Sequence, residues 1–298
     1  MSVYLASILT NMALISFLAL SAYLVLVVGE ISFGQQAFFG IGAYVTATAT
    51  VIFDAPVGFA LLLSALCAGL VALLLAALTL RLSGIYFAIA SLCFAELFRL
   101  SLLQIRLPLE MDGRMTGPDG PEGFSNIRWI FDNNFEVVDF LSLTLACLGA
   151  LLMLLFFVER TQIMFCARLV GKDNILAQSM GVRPNLYRMC FICASGFVAG
   201  FGGALFALFN THIEPQMFGV MLGVHALAYS IIGGLGAPVG PLIGVAIDIG
   251  LLESIRGLSS YRMIVFGGLV AVLLIVFPEG LINPRFVNRV RSRTRPNV

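Results

Sequence analysis

Charge is scarce in this sequence. Of its 298 residues, 17 are Lys or Arg and 16 are Asp or Glu, a share of 11% where a soluble domain carries about a quarter. The formal net charge of +1 gives no argument for nucleic acid, and none is expected as a partner. Histidine is equally sparse: His212 and His225 stand without a carboxylate or cysteine cluster, so no metal site is expected. No Ser/His/Asp set is evident, and the pattern G-x-x-x-x-G-K-[ST] is missing. Its nearest approach, RLVGKDN at 168–174, lacks the upstream glycine and ends in Asp and Asn. An enzyme with its own nucleotide cradle is thereby excluded, and no cofactor is expected. The ten-residue alternating segments of a membrane β-barrel are lacking too. The first apolar run has no basic start and no small-residue cleavage site, so it reads as a span rather than a secretory signal. Six cysteines lie in or beside apolar stretches; Cys190 and Cys193 form a C-x-x-C with no second ligand pair, and packing is their expected role.

What the sequence has instead is apolar length. Hydrophobic residues make up 60% and the mean hydropathy is +1.01. Charge-free runs at 1–29, 56–80, 140–158, 189–211 and 263–278 each approach the ~17–25 residues that a bilayer-crossing helix needs. The fold class is therefore all-α, a polytopic membrane helical bundle in a single transmembrane domain over 1–298. About nine helices are expected, at 5–28, 33–53, 57–80, 84–103, 139–158, 188–210, 217–235, 239–256 and 261–277.

The few charges orient the bundle. Segment 104–138 carries Glu110, Asp112, Asp119, Glu122, Asp132 and Glu136 and reads as an external loop. Segment 159–188 carries Arg160, Arg168, Lys172, Arg183 and Arg188, and the tail 283–298 adds five more arginines. The positive-inside rule places both of these in the cytoplasm, with the C-terminus. Nine full spans would leave the N-terminus outside; a re-entrant 33–53 would bring it inside.

A polar knot, GEISFGQQ at 29–36, interrupts the first two apolar runs. Gly29 weakens a helix, and Ser32 followed three residues later by Gln35 fits a capping box, so one helix should end near Gly29 and another begin at Phe33. Broken backbone at membrane depth is tolerated where it is buried in protein or borders a wet cavity. Glu30, Ser32, Gln35 and Gln36 are therefore candidates to line a translocation path, with open N–H groups able to meet a carboxylate. The competing reading has Glu30 ending its helix at the water interface and the glutamines bonding neighbouring helices. Glu96 joins the candidates as a membrane carboxylate, although Arg99 three residues on can neutralise it. Asp248 has no same-helix basic partner at that spacing, whereas Glu253 and Arg256 form another such pair. A second interruption falls at 233–241, and small residues recur four apart at Gly196/Gly200 and Gly240/Gly244, a spacing for close helix contact.

Within 159–188, GKDNILAQSMGVRPNLYR has its own order. Asp173 or Asn174 can cap a short helix at 175–180, Gly181 can supply its left-handed end, and Pro184 prevents its continuation. Ile175, Leu176 and Met180 give that helix an apolar surface flanked by Lys172 and Arg183, suited to a groove in a cytoplasmic partner or to lipid headgroups.

These residues carry a resemblance. GEISFGQQAFFGIGAY, GIYFAIASLCFAELFR, DNILAQSMGVRPNLYR, VAGFGGAL and IVFPEGL resemble motifs of the LivM-type permeases of bacterial ABC importers for branched-chain amino acids. TGPDGPEG departs from that family's usual T-G-G-x-x-G at Pro118, and Phe277 stands where it has an arginine. The resemblance implies a permease subunit in the bacterial inner membrane, paired with a LivH-type sister permease, two cytoplasmic ATPase subunits that hydrolyse the ATP, and a periplasmic substrate-binding protein. It also implies that Lys172, Asp173, Asn174, Ala177 and Gly181 belong to the segment that couples to an ATPase. Branched-chain amino acids, other small amino acids, urea, short amides and small organic acids all remain open as substrates, and an ion-coupled secondary transporter or channel remains the alternative of another class.

Overall fold

The computed structural model describes residues 3–106, 109–111, 114–125, 127, 129–132, 135–254, 262–277 and 280–282. The basic tail 283–298 and Arg256, the expected partner of Glu253, lie outside the described residues. In chain order the helices are α1 (Val3–Val27), α2 (Gln35–Val51), α3 (Val57–Leu78), α4 (Ile85–Gln104), α5 (Trp129–Asp132), α6 (Val137–Glu159), α7 (Gln162–Lys172), α8 (Asn174–Ser179), α9 (Pro184–Phe209), α10 (Val220–Gly233), α11 (Gly240–Ser254) and α12 (Arg262–Val276). Among the described residues, α1, α3, α4, α6 and α9 are long and apolar enough to cross a membrane. The chain is a multi-pass membrane protein with an all-α bundle. α2 has 17 residues and α10 has 14, rising about 26 and 21 Å at 1.5 Å per residue.

α9 is the centre of the bundle. It packs on α1, α2 and α3, and 72% of its apolar window is buried against 22% for α6 at the periphery. Gly196 and Gly200, expected as contact points, and Gly203 beside them are the reason. A Cβ at Gly196 would overlap Ala72, one at Gly200 would overlap Ala68, and one at Gly203 would overlap the Phe39 carbonyl. With no Cβ in the way, α2 and α3 lie backbone to backbone against α9, the geometry that drives association where lipid removes the hydrophobic incentive. α10 and α11 form a second, smaller group beside α1, and Gly244 lets α11 approach the Tyr229 carbonyl.

The stretch expected as an external loop is ordered in several places. Leu109–Met111 and Arg114–Thr116 pair as an antiparallel hairpin, and a 3-10 turn follows at Gly120–Glu122. Phe124 and Ile127 are buried, with Phe124 N–H donating to Ile213 O at 2.8 Å and Ile213 N–H returning to Phe124 O at 3.0 Å. Downstream, α6 opens with a capping box formed by Glu136 and Asp139.

Candidate functional site

The polar knot is a true break in the helix. Gly29, at φ 79°, closes α1 with paired turns: its N–H donates to Leu26 O at 3.0 Å and Glu30 N–H to Val25 O at 3.3 Å, the Schellman arrangement. The next helix starts at Gln35 and not at Phe33, and the Ser32/Gln35 capping box is not formed. Ser32 stands two residues before the N-cap Gly34, too early to reach the third helical amide, and its Oγ instead accepts the Gly34 N–H at 3.2 Å. Phe33 N–H donates to Ser91 Oγ on α4 at 2.9 Å. Two of the N–H groups expected to lie open are thus taken internally.

Burial and hydrogen bonding bear on the competing reading of the knot at Glu30 and Gln35. Glu30 is 2% exposed, so its carboxylate is enclosed by protein rather than open to water. One carboxylate oxygen pairs with Arg188 Nη2 at 3.1 Å, and the other accepts the Gly84 N–H at 3.0 Å. Gln35 is 0% exposed, and neither Oε1 nor Nε2 has a hydrogen-bond partner within the protein; it does not bond a neighbouring helix. Gln36 is also buried, its Oε1 unpartnered and lodged where a Cβ at Gly223 of α10 would overlap it. Tyr44 OH on α2 and Ser195 Oγ on α9 are buried without partners as well. The interior around α2 thus holds hydrogen-bonding capacity that the chain itself leaves unused, each such group costing about 1–3 kcal/mol.

The remaining path candidates separate. Glu96 keeps 35% of its side chain exposed and is held by Arg99, whose Nε lies 3.0 Å from both carboxylate oxygens. Asp248 on α11 is buried; Tyr229 OH on α10 donates to its Oδ2 at 2.5 Å, and its Oδ1 is unpartnered.

Beside the knot, where Gly171 abuts Gly29, the expected coupling segment takes the expected shape. Asp173 caps α8, its Oδ1 accepting from Ile175 N–H at 2.9 Å and Leu176 N–H at 3.0 Å. Gly181, at φ 78°, ends the helix with Val182 N–H on Ala177 O at 3.0 Å. Ala177 is buried, while Ile175 is 80% exposed and Leu176 and Met180 face outward with it. Lys172 is exposed at the end of α7.

Sequence reasoning missed two things here. α7 is not among the expected helices, because basic residues dominate its stretch, although Met164, Ala167 and Val170, three apart and all buried, are the helical signal. Arg168 on it donates to Glu159 Oε1 at 2.8 Å and reaches Tyr23 OH and Gly236 O at 3.3 Å. Arg188 looks in the sequence like one more cytoplasmic charge, although it is the half-buried partner of Glu30.

Comparison with known proteins gives the same outline. The family described as branched-chain amino acid transport system / permease component matches residues 4–277. The chain is 28% identical over 275 residues to the high-affinity branched-chain amino acid transport system permease protein LivM of Salmonella typhimurium, covering 85% of this chain and 64% of that one. It is 27% identical to LivM of Escherichia coli K12, with the same coverage. LivH of Escherichia coli K12, named as a permease protein of the same kind of system, is 25% identical over 144 residues, 47% of this chain and 46% of that one. The chain therefore spans 64% of the length of the LivM relatives it matches. No solved structure matches it.

Proposed function

Because the chain belongs to the permease-component family of branched-chain amino acid transport systems, we propose that it is the transmembrane permease subunit of an ABC importer for branched-chain or other small amino acids. It works in the bacterial inner membrane beside a LivH-type sister permease. Two ATPase subunits hydrolyse ATP on its cytoplasmic side, the side of its C-terminus, and a periplasmic binding protein delivers the substrate.

The observation that carries this reading beyond the family is α8. A helix of six residues has no stability of its own. This one is capped by Asp173 at its start and closed by Gly181 at its end. It nevertheless turns Ile175, Leu176 and Met180 away from the protein. Such a knob fits a hydrophobic groove in a partner, and Lys172, Asp173, Asn174, Ala177 and Gly181 are the residues that present it.

The translocation path borders α2. Gln35, Gln36, Tyr44 and Ser195 supply unused donors and acceptors for the ammonium and carboxylate of a small amino acid. Asp248 adds one free carboxylate oxygen. Glu30 and Ser32 support the path by holding the break, and Glu96, paired with Arg99, belongs to its margin.

The test is purification of the tagged chain from native membranes in mild detergent, with mass spectrometry of everything retained. Two P-loop ATPases and a second permease are the expected company, and reconstitution should give uptake that requires ATP on the cytoplasmic side. A well-folded chain recovered alone, or uptake driven by an ion gradient without ATP, overturns the proposal.

A further inference from the structure

The break between α1 and α2 and the docking helix α8 meet at one side chain. Arg188, in the second turn of α9, places Nη2 3.1 Å from Glu30 Oε1. With the Asn174 amide oriented to satisfy both of its ends, the same Nη2 donates to the Asn174 oxygen at 2.7 Å, and the Asn174 nitrogen donates to Val170 O at 3.0 Å. Asn174 is the first residue of α8, and Val170 lies in the last turn of α7. Glu30 in turn holds the Gly84 N–H at the start of α4. The backbones touch beside this chain of bonds: a Cβ at Gly29 would lie 2.7 Å from Gly171 O.

We propose that Arg188 is the positioning residue that couples α8 to the α1–α2 break, so that a displacement of α8 passes through Asn174 and Arg188 to Glu30 and on to the start of α2, where Gln35 and Gln36 lie. Glu30 and Arg188 expose only 3% and 15% of their side chains. Moving either one alone strands a buried charge, so the break follows α8 rather than slipping past it. The planar guanidinium suits this because the two N–H bonds of Nη2 point in fixed directions, one to each acceptor, whereas the ammonium of a lysine rotates freely on its stem. The inference rests on the proposed docking role of α8 for its biological meaning, but the linkage is internal to the chain and is measurable without any partner.

Hydrogen–deuterium exchange of the purified full-length protein tests it. Uncapping α8 with Asp173→Ala should raise exchange in 174–182 and also in 28–36, the latter by at least about fivefold, the low end of measured site-to-site coupling. In an Arg188→Gln background the response should stay confined to 174–182. Asn174→Ala, which leaves the Glu30 pair intact, should have the same confining effect and serves if Arg188→Gln does not fold. A response that reaches 28–36 equally in these backgrounds, or that never reaches it in the parent, overturns the proposal. In the assembled importer, Arg188→Gln should lower substrate moved per ATP by about tenfold while ATP hydrolysis persists; loss of both together would mark Arg188 as merely structural. If no ATPase accompanies the chain, the docking role of α8 fails, and the exchange result alone still decides the linkage.

Discussion

Gln35 holds the first position of α2 with both amide atoms buried and unpartnered. Replacing it with Leu removes that unmet desolvation, so Gln35→Leu should raise detergent stability by about 1–3 kcal/mol. ATP-dependent uptake should fall in the same variant. A thermal melt paired with an uptake assay separates the two effects, and unchanged uptake would make the glutamine a packing residue. At Gly181 the space around a Cβ is open, and the obstacle is the left-handed backbone alone. Gly181→Ala should therefore cost about 1–2 kcal/mol locally, seen as faster amide exchange in α8 and weaker ATPase retention. The polar identity of Gln35 and the turn chemistry of Gly181 were both legible in the sequence, since each depends on its neighbours along the chain. The burial of Glu30 was not, because its partner Arg188 lies in a distant stretch that reads as ordinary cytoplasmic charge.

Among the elements, α9 depends most on its small residues. Gly196→Leu would drive a side chain into Ala72 and the Ala68 carbonyl, where α3 has no room to retreat without leaving α9. The expected outcome is loss of monodisperse protein in size-exclusion chromatography, with overpacking costing about 1–3 kcal/mol or more. The apolar spans and the four-residue spacing of small side chains were readable because helix period and length are local properties. Element starts were less so: Ser32 had the right spacing to Gln35 for a cap, yet its hydroxyl took the nearer Gly34 amide, and the helix began two residues later. α7 escaped for a different reason. It lies between charged ends, and only the buried row Met164, Ala167 and Val170 separates it from a loop.

At the scale of the whole molecule, two half-buried guanidiniums join segments that the sequence keeps far apart. Arg168 ties α7 to α1, α6 and the α10–α11 connection, and Arg188 ties α9 to the knot. Arg188→Met alone should destabilise the fold by about 3–5 kcal/mol, since it strands the Glu30 carboxylate. Adding Glu30→Gln should recover part of that loss in a double-mutant cycle measured by chemical denaturation. On the outside, Leu62, Leu66, Leu70, Leu74 and Leu78 form an exposed row along α3. A lysine at Leu70 should reduce membrane insertion by about 2.5–3.5 kcal/mol if that face meets lipid, as a glycosylation-reporter insertion assay would show.

After α12 the chain returns to α10: Leu281 N–H donates to Ile232 O and Ile282 N–H to Gly233 O, each at 2.9 Å, while Gly280 fits against Gly234 where a Cβ would not. Synthesis runs from the N-terminus and structure forms behind it, so the end of α10 gains these two partners only after α11 and α12 have been made. The fastening of α10 is therefore among the last contacts between the described residues to form during synthesis.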